Sequence, residues 1–546
     1  YGTYSTISGG YYNTAYGTAN SVGGGTYHRV YNAYSTVAGG HNHYALSYTG
    51  TVAGGMYNSA YYASWSGVGG GYSSGSASTA GGVAGGYDNW AAGSYSAVGG
   101  GAYSGVYSTL GYVGGGSTCR VYGSWGNIAG GRNDYSYGGY TTIGGGYAHR
   151  NYGTAGTITG GYANSVYSAY GTVSGGYSNV AYGYGAVVTG GHDNIAGADR
   201  DVVSGGLYNN VYGGFDVIGG GGYSNIYAAW STVSGGSYHK AYYVYSTISG
   251  GSSSVTYGYA GTIVGGYANK VYSGYAVITG GSTNVVSSAY GVVAGGYENY
   301  ATGYASAVGG GRDNSAYSAY GTIGGGAYNS IYAYAAAVGG GYDNDVYAAY
   351  GAIGGGHYNR ASAYGASVGG GAYNMIYGYV GVIGGGYKNV VYGYGGIVGG
   401  GVSNTVVGDL SQIGGGSYNL VSGDYSSIGG GSSNTVLSDH ATIGSGYNVV
   451  IDGSSEFAYV GTGSNTLASG YAATIIGGEG HNLLGGNSYG VLGGGRNATQ
   501  EVGADYCTTL GGQSTRFRNS DDFSSYAGVI VGGEIQSVVG SYNTLY

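Results

Sequence analysis

Proline is absent from all 546 residues, and this absence is the first constraint on the fold. Because proline cannot donate a backbone hydrogen bond, a chain without it is typical of structures that use nearly every N–H group in β-ladders. Glycine is abundant, at 133 residues, but disordered glycine-rich chains tend to be rich in proline and poor in aromatic residues. The 74 tyrosines therefore argue against disorder.

Charge and long apolar runs are also scarce. Charged residues make up 6% of the chain and the formal net charge is −8, which provides neither an acidic tail nor a basic stripe. We therefore expect no nucleic-acid partner. No apolar run approaches the ~18 residues of a membrane helix, so we expect no membrane insertion. Since the chain begins with tyrosine, we interpret it as a mature product whose targeting segment has been removed.

The sequence does contain a period: a pair or triplet of glycines returns every 15 residues, with one extra residue in the unit 56–71. A typical unit is YANKVYSGYAVITGG, residues 267–281. A unit this short cannot bury a face of its own, so the units must stack. The period predicts an all-β fold, a parallel β-solenoid or β-roll of 15-residue coils. We expect a rod of about 34 coils, roughly 160 Å long at ~4.8 Å per coil.

Two regions are distinguished by the regularity of the period. Residues 1–446 form the regular repeat, whereas residues 447–546 contain longer units and end in a segment that we expect to join another subunit. The two cysteines, Cys119 and Cys507, fall in different regions and about 26 coils apart, or on the order of 120 Å. They are therefore too distant to form a disulfide within one subunit.

Strand alternation assigns an inward or outward direction to each place of a coil, counted from the residue after one glycine pair to the last glycine of the next. Place twelve is Val or Ile in every coil from residue 11 to residue 446. We expect places three, five and seven to point inward on one strand and places ten, twelve and fourteen on the other. Tyr62 and Tyr243 break the pattern of small residues at place seven. Asp201 and Asp216 at place ten indicate a local register change between residues 199 and 225.

Asparagine occupies place three in an unbroken run of coils from residue 269 to residue 434. Stacked amides at this corner are expected to bond to the coils above and below and to supply partners that the glycine turn lacks. The ladder begins with Asn269, Asn284, Asn299, Asn314, Asn329 and Asn344.

Tyrosine occupies the outward place six in most coils, and place nine adds a second, patchier row. A coil spacing of ~4.8 Å brings successive rings into contact. Two interpretations remain open: the rings stabilise the strands, or the rows are adhesive strips for lateral bundling or attachment. The longest run at place six is Tyr107, Tyr122, Tyr137, Tyr152, Tyr167 and Tyr182.

Chemistry-bearing clusters are few. Asp409, Asp424 and Asp439 occupy place eight of successive coils, where a calcium ion would screen their repulsion; the alternative is three solvated carboxylates. His28 and His43 replace asparagine at place three, either as metal ligands or as substitutes in the ladder. No catalytic arrangement occurs, and a narrow coil leaves no room for a concave pocket, so we expect no enzyme activity.

The two ends of the chain have complementary phases. The last six residues, SYNTLY, match places one to six, and the first ten, YGTYSTISGG, match places six to fifteen. A second subunit would complete one coil at the junction, because open solenoid edges pair with other chains. The alternative is a coincidence of phase. The expected joining residues are Tyr1, Tyr4, Ile7, Asn543, Leu545 and Tyr546.

Segments such as NTAYGTANSVGGG, SAYGTIGGGAYNSIYAY and SAYGVVAGGYENYATG resemble the head repeats of trimeric autotransporter adhesins of the YadA type. The resemblance covers roughly residues 1–446 and rests on the spacing of Asn, a small apolar residue, Gly/Ser and Val/Ile. It implies a left-handed parallel β-roll displayed outside the cell. It also implies a trimer that binds host matrix or other surfaces.

The pattern as a whole predicts a secreted, extracellular or cell-surface structural fibre subunit that polymerises head to tail. The alternative is the head domain of a trimeric surface adhesin that binds host matrix or abiotic surfaces. The two differ in whether residues 541–546 are needed. An ice-binding solenoid would require a flat array of threonine, which the bulky outward rows do not offer.

Overall fold

The computed structural model describes residues 2–62, 64–485, 488–501, 504–518, 528–539 and 543–545, the last segment by its backbone only. The chain forms two compact units, residues 1–271 and 272–546. Each unit is a parallel β-solenoid with coils about 15 residues long, and together they contain about 34 coils. The solenoid fold predicted from the glycine period is therefore confirmed.

Each regular coil contributes two strands of two residues. The first set occupies places four and five, with Thr14–Ala15, Arg29–Val30, Tyr44–Ala45, Ser59–Ala60 and Gly75–Ser76, and then one strand every 15 residues to Thr435–Val436. The second set occupies places eleven and twelve, with Thr6–Ile7, Ser21–Val22, Thr36–Val37, Thr51–Val52 and Gly67–Val68, and then one every 15 residues to Thr442–Ile443.

From Tyr447 onward many strands are longer, up to six residues. The strands here are Tyr447–Ile451, Tyr459–Val460, Ser464–Ala468, Thr474–Glu479, Asn482–Leu483, Val491–Arg496, Thr499–Gln500, Cys507–Leu510, Arg516–Arg518, Gly528–Val531, Ser537–Val539 and Asn543–Leu545. Phe517 is buried here with Cys507, Ile530 and Val538, so this part has a bulkier core than the regular coils.

Every described strand pair is parallel, and in the regular coils the register advances by one coil. In the first unit Thr157 pairs with Thr172, and in the second Ser330 pairs with Asp345. The backbone amides run the same way: Tyr167 N donates to Ala181 O at 2.9 Å and Thr172 N to Ala186 O at 2.8 Å. This use of N–H groups explains why proline is absent.

The core of each regular coil consists mainly of places three, five, ten and twelve, and small residues at place seven, such as Ser47 and Gly123, are also buried. Place twelve is buried in every regular coil, from Val22 to Ile443. Place fourteen was expected to point inward, and this expectation is wrong. A Cβ atom built on the place-fourteen glycines, such as Gly115 or Gly175, would meet open space. The chain turns before place fourteen, because the second strand ends at place twelve.

The register change expected between residues 199 and 225 does not occur. Val202 and Val203 pair with Val217 and Ile218 in the ordinary register, and Asp201 and Asp216 are both buried. The interior accommodates the carboxyl groups because backbone amides of the next coil donate to them. Asp216 N reaches Asp201 Oδ1 at 3.2 Å, and Ser231 N reaches Asp216 Oδ1 at 2.6 Å.

The two tyrosines at place seven do not enter the core. Tyr62 is 81% exposed, and three residues later Trp65 N donates to Tyr48 O. Tyr243 is 54% exposed. Both side chains therefore leave the place where the smaller residues of other coils lie.

Three corners of a typical coil have left-handed backbone, and only one of them uses glycine. In the coil of residues 162–176 they are Ala163 (φ 53°), Tyr170 (φ 57°) and Gly176 (φ 85°). Left-handed geometry costs a non-glycine residue about 1–2 kcal/mol. The stack holds it in place: Ala163 N donates to Tyr147 O at 2.7 Å and Tyr170 N donates to Thr154 O at 2.9 Å.

Both cysteines are buried and free. Burial raises the pKa of the Cys507 thiol to about 11 and also raises that of Cys119. The described part of the chain holds no helix with the length and hydropathy needed to cross a membrane.

Candidate functional site

The longest run of rings stacked face to face follows place six in the first unit. Strands at places four and five turn this side chain outward, and the 15-residue register sets each ring above the next. The five successive centroid distances from Tyr107 to Tyr182 are 5.2, 5.2, 4.6, 5.1 and 4.6 Å, and the planes differ by no more than 13°. Each ring remains 38–46% exposed. The stacked tyrosine row predicted from the sequence is confirmed.

Neighbouring rings also shape the chemistry of the phenols. Burial raises the pKa of Tyr107 and of Tyr137, and the adjacent Tyr152 adds to the rise at Tyr137. The phenol groups of Tyr107 and Tyr137 therefore stay neutral in ordinary solution. The row presents an uncharged aromatic strip with hydroxyl groups along it.

A second row, in the second unit, is more continuous than the sequence indicated. It contains eight tyrosines, because those at place eight fill the coils that lack one at place nine. Most contacts are edge to face, as between Tyr320 and Tyr334 at 5.4 Å and 80°. The members are Tyr275, Tyr290, Tyr304, Tyr320, Tyr334, Tyr350, Tyr364 and Tyr379.

A third type of row lies at the corner formed by places one and two. In the first unit Tyr147, Tyr162 and Tyr177 stack at 4.9 and 4.7 Å, and the stack continues to His192 at 4.5 Å. The outer face at places eleven and thirteen is different, because mostly Thr, Val, Ala, Ser and Gly occupy it in the regular coils. Each unit is therefore tyrosine-rich at place six and the two corners, and made of small side chains on its other sheet.

The asparagine ladder fixes the spacing of the coils that carry the rows. Asn329 donates through Nδ2 to Gly325 O at 3.0 Å and to Gly341 O at 3.1 Å, and its Oδ1 accepts from Asn344 N at 3.0 Å. One buried amide thus contacts its own glycine turn and the next coil. The same contacts recur along the run: Asn269 and Asn284 donate to the glycine turn, and Asn299, Asn314, and Asn344 repeat the full set.

Histidine at place three reproduces the contact in which the asparagine Oδ1 accepts from the next coil. His28 Nδ1 accepts from His43 N at 3.2 Å, and His43 Nδ1 accepts from Asn58 N at 3.1 Å. The two rings stack at 4.9 Å inside the coil. Burial lowers the pKa of His43 to about 4, with the neighbouring His28 adding to the effect. The pair therefore substitutes for asparagine, and no metal site is proposed there.

The three place-eight aspartates form a ladder with the backbone. Oδ1 of Asp409 accepts from Tyr394 N at 2.7 Å, that of Asp424 from Asp409 N at 2.8 Å, and that of Asp439 from Asp424 N at 2.7 Å. Each carboxylate satisfies a backbone amide of the preceding coil. Among the described residues no group of three or more His, Cys, Asp or Glu side chains is arranged to hold a metal ion. The geometry therefore gives the calcium prediction no support.

The predicted end-joining residues are only partly described. Tyr4 is 86% exposed and Ile7 is 45% exposed, and Thr6–Ile7 pairs with Ser21–Val22. At the other end Asn543–Leu545 continues the ladder by pairing with Gly528–Ile530. Tyr1, Tyr546 and the side chains of Asn543 and Leu545 lie outside the described residues. The joining of the two ends stays a prediction.

The sequence matches no protein-family model, and no curated protein matches it. The resemblance to adhesin head repeats is therefore supported only at the level of a β-solenoid with 15-residue coils.

Proposed function

We propose that the protein is an extracellular structural fibre subunit without enzyme activity, whose tyrosine rows bind neighbouring fibres side by side. The observation that carries this proposal is the set of continuous, exposed rows of stacked rings. Contiguous apolar surface of this kind marks interaction sites in soluble proteins. Tyrosine suits such a surface, since it offers a large ring with few rotatable bonds and a hydroxyl group.

The spacing between successive rings of a tyrosine row is the same in a second copy of the chain. Rings repeat at about 5 Å in the place-six row and in the row at places one and two, and at 5.3–6.4 Å in the second row, because the coil register sets the distance. Two parallel rows can therefore interdigitate over many coils, and the contact energy adds along the row at ~0.5–1.5 kcal/mol for each aromatic pair. The small-residue face at places eleven and thirteen has no such rings. We infer that bundling uses the tyrosine faces.

Head-to-tail joining is the second part of the proposal. It rests on the parallel ladder, which a further coil would continue from the strands Thr6–Ile7 and Asn543–Leu545. Ile7 occupies place twelve and is 45% exposed, whereas Val22 and Val37 at the same place are fully buried. A coil completed by another subunit would cover it.

The bundling step is tested by removing ring contacts from the place-six row of the first unit. The triple variant Tyr137→Thr, Tyr152→Thr and Tyr167→Thr keeps a strand-forming residue at place six. The matched control carries Tyr112→Thr, Tyr394→Thr and Tyr418→Thr, exposed tyrosines outside the three rows. Electron microscopy should show bundled fibres for the wild type and the control, and separate filaments for the row variant.

Equal bundling by the row variant and the wild type would contradict a role for the row. Separate rods of the wild type, single or in threes, would favour the adhesin-head alternative instead. A variant lacking residues 1–10 tests the joining step independently, because it should give rods that do not lengthen. Normal fibres from this deletion would exclude joining through the half-coils.

A further inference from the structure

Gly105 has no side chain and therefore leaves a hollow in the first unit. The hollow lies in the place-four column, the stack formed by the place-four residues of successive coils. Parallel pairing sets Trp90 beside Gly105 and Gly105 beside Arg120, so a glycine separates two large side chains. The Tyr107 ring lies over Gly105: a Cβ atom there would approach its Cε2 to 2.8 Å. The hollow is therefore bounded by the Tyr107 ring, which is the first ring of the place-six row.

The hollow has a volume of about 300 Å³, at the lower end of the range for small-molecule sites. Aromatic and charged groups both face it, in contrast to the uncharged tyrosine rows. Its lining residues are Asp88, Trp90, Tyr103, Ser104, Tyr107 and Arg120.

The backbone spacing of Trp90 and Arg120 leaves room for one six-membered ring between their side chains. Trp90 and Arg120 are two coils apart, or ~9.6 Å. Two van der Waals separations of ~3.5–4 Å fit within that distance, one on each side of an inserted ring. Both walls also lean away from Gly105. The Trp90 ring lies over Gly75 and is 5.9 Å from the Tyr61 ring, and the Arg120 guanidinium lies 5.8 Å from the Tyr135 ring.

The charged groups define the polar chemistry of a ligand. The Nε atom of Arg120 is buried, and no described residue accepts its hydrogen. A buried unpaired donor is costly, and a guanidinium group matches the geometry of a carboxylate. Asp88, on the exposed corner, offers carboxylate oxygens that accept hydrogen bonds from hydroxyl groups. A ligand that pairs with both Arg120 and Asp88 therefore requires one carboxylate and several hydroxyl groups on a single ring.

We propose that this hollow binds a uronic acid residue of an acidic polysaccharide. The sugar ring lies between Trp90 and Arg120 over the Tyr107 ring, its carboxylate accepts from the Arg120 guanidinium group, and its hydroxyl groups donate to Asp88. An aromatic carboxylate without hydroxyl groups would leave the Asp88 carboxylate without a hydrogen-bond donor. The site does not depend on fibre formation, and it gives the protein a specific attachment to an acidic glycan matrix.

The test is calorimetric titration of the full chain with a galacturonic acid tetramer, alongside a galactose tetramer of the same length. We expect heat from the acidic oligomer only, with an affinity that falls as salt is raised. Equal affinity for the neutral oligomer would overturn the assignment, because Arg120 would then have no role in recognition.

Variants localise the site. Arg120→Gln should weaken binding of the acidic tetramer at least tenfold, and Gly105→Ser should abolish it by filling the hollow. Serine occupies place four in other coils, at Ser165 and Ser315, so the fold tolerates it there. The matched control is Arg150→Gln, which removes an arginine of the same column that lies over Tyr135 and does not line the hollow. Unchanged affinity in Arg120→Gln, or an equal loss in Arg150→Gln, would contradict the proposal.

Discussion

Asp201 and Asp216 occupy place ten of neighbouring coils, and both carboxyl groups are fully buried. Asp201 has a partner for each oxygen, since Oδ2 accepts from Ala198 N and Oδ1 from Asp216 N. Asp216 Oδ2 has none among the described residues. Burial therefore raises the pKa of Asp216 to about 7, and the neighbouring Asp201 adds to the rise. A single residue thus makes the stability of its coil depend on pH.

Comparison of the wild type with the Asp216→Asn variant should reveal this pH dependence of stability. The folded carboxyl, with a pKa of about 7, holds a proton more tightly than the unfolded one, with a pKa near 3.8. Its contribution to stability is therefore complete below pH ~4 and is lost as the pH rises through 7. Asparagine does not titrate, so the variant should be more stable than the wild type by about 1–3 kcal/mol at pH 8.

Chemical denaturation of the two proteins at pH 4 and at pH 8 measures the difference. The pH 4 pair is the internal control, because the wild-type carboxyl is protonated there and resembles an amide. A stability difference of the same size at both pH values would show that the buried carboxyl does not titrate as argued.

Within a coil, the place-three amide is the element that ties a glycine turn to the next strand. Asn329→Ala would leave two carbonyl groups and one amide without their partner, at a cost of about 2–4 kcal/mol. Hydrogen exchange should show the amide of Asn344 losing its protection, because that amide donates to Asn329 Oδ1.

The loss of exchange protection in Asn329→Ala should be local, because each coil of a solenoid contacts only its neighbours. The amide of Asn374 donates to Asn359 Oδ1, and Asn359 lies two coils from the mutated Asn329. The Asn374 amide should therefore keep its protection from exchange. Asn329→His should also preserve the Asn344 amide, since His43 Nδ1 accepts the same bond from Asn58 N. Loss of protection at Asn344 in both variants would mean that the acceptor atom is not what protects it.

The sequence predicts the elements whose residue type is set by one physical requirement. Val or Ile at place twelve marks the core, glycine marks one corner, and asparagine marks the amide ladder. The left-handed corners at places two and nine had no such signal, because Tyr170 and Ala163 adopt them under constraint from the stack. The continuous second row was missed because its tyrosines alternate between places eight and nine. The hollow at Gly105 depends on which way Trp90 and Arg120 lean, and the repeat does not encode that.

At the scale of the whole molecule, the coil is the unit of folding in each of the two compact units. Deleting residues 162–176 removes one coil and sets Tyr147 beside Tyr177, so every place keeps its residue type. We expect this variant to fold with a thermal midpoint within a few degrees of the wild type, because nearest-neighbour contacts are restored.

Deleting residues 162–168 is the matched comparison. It removes half a coil, shifts the following residues out of their places and should destabilise the unit strongly. Circular dichroism during heating distinguishes the two deletions. Equal midpoints would show that the 15-residue register does not determine stability.

The constant 15-residue register also affects how a gene for this chain can change. A duplication or loss of any segment that encodes whole coils restores every strand pair and extends or shortens the tyrosine rows by whole rings. Unequal recombination between repeats can therefore change the length of the encoded protein in one step without passing through an unfolded intermediate. Selection can then act on length while the residues of each coil remain unchanged.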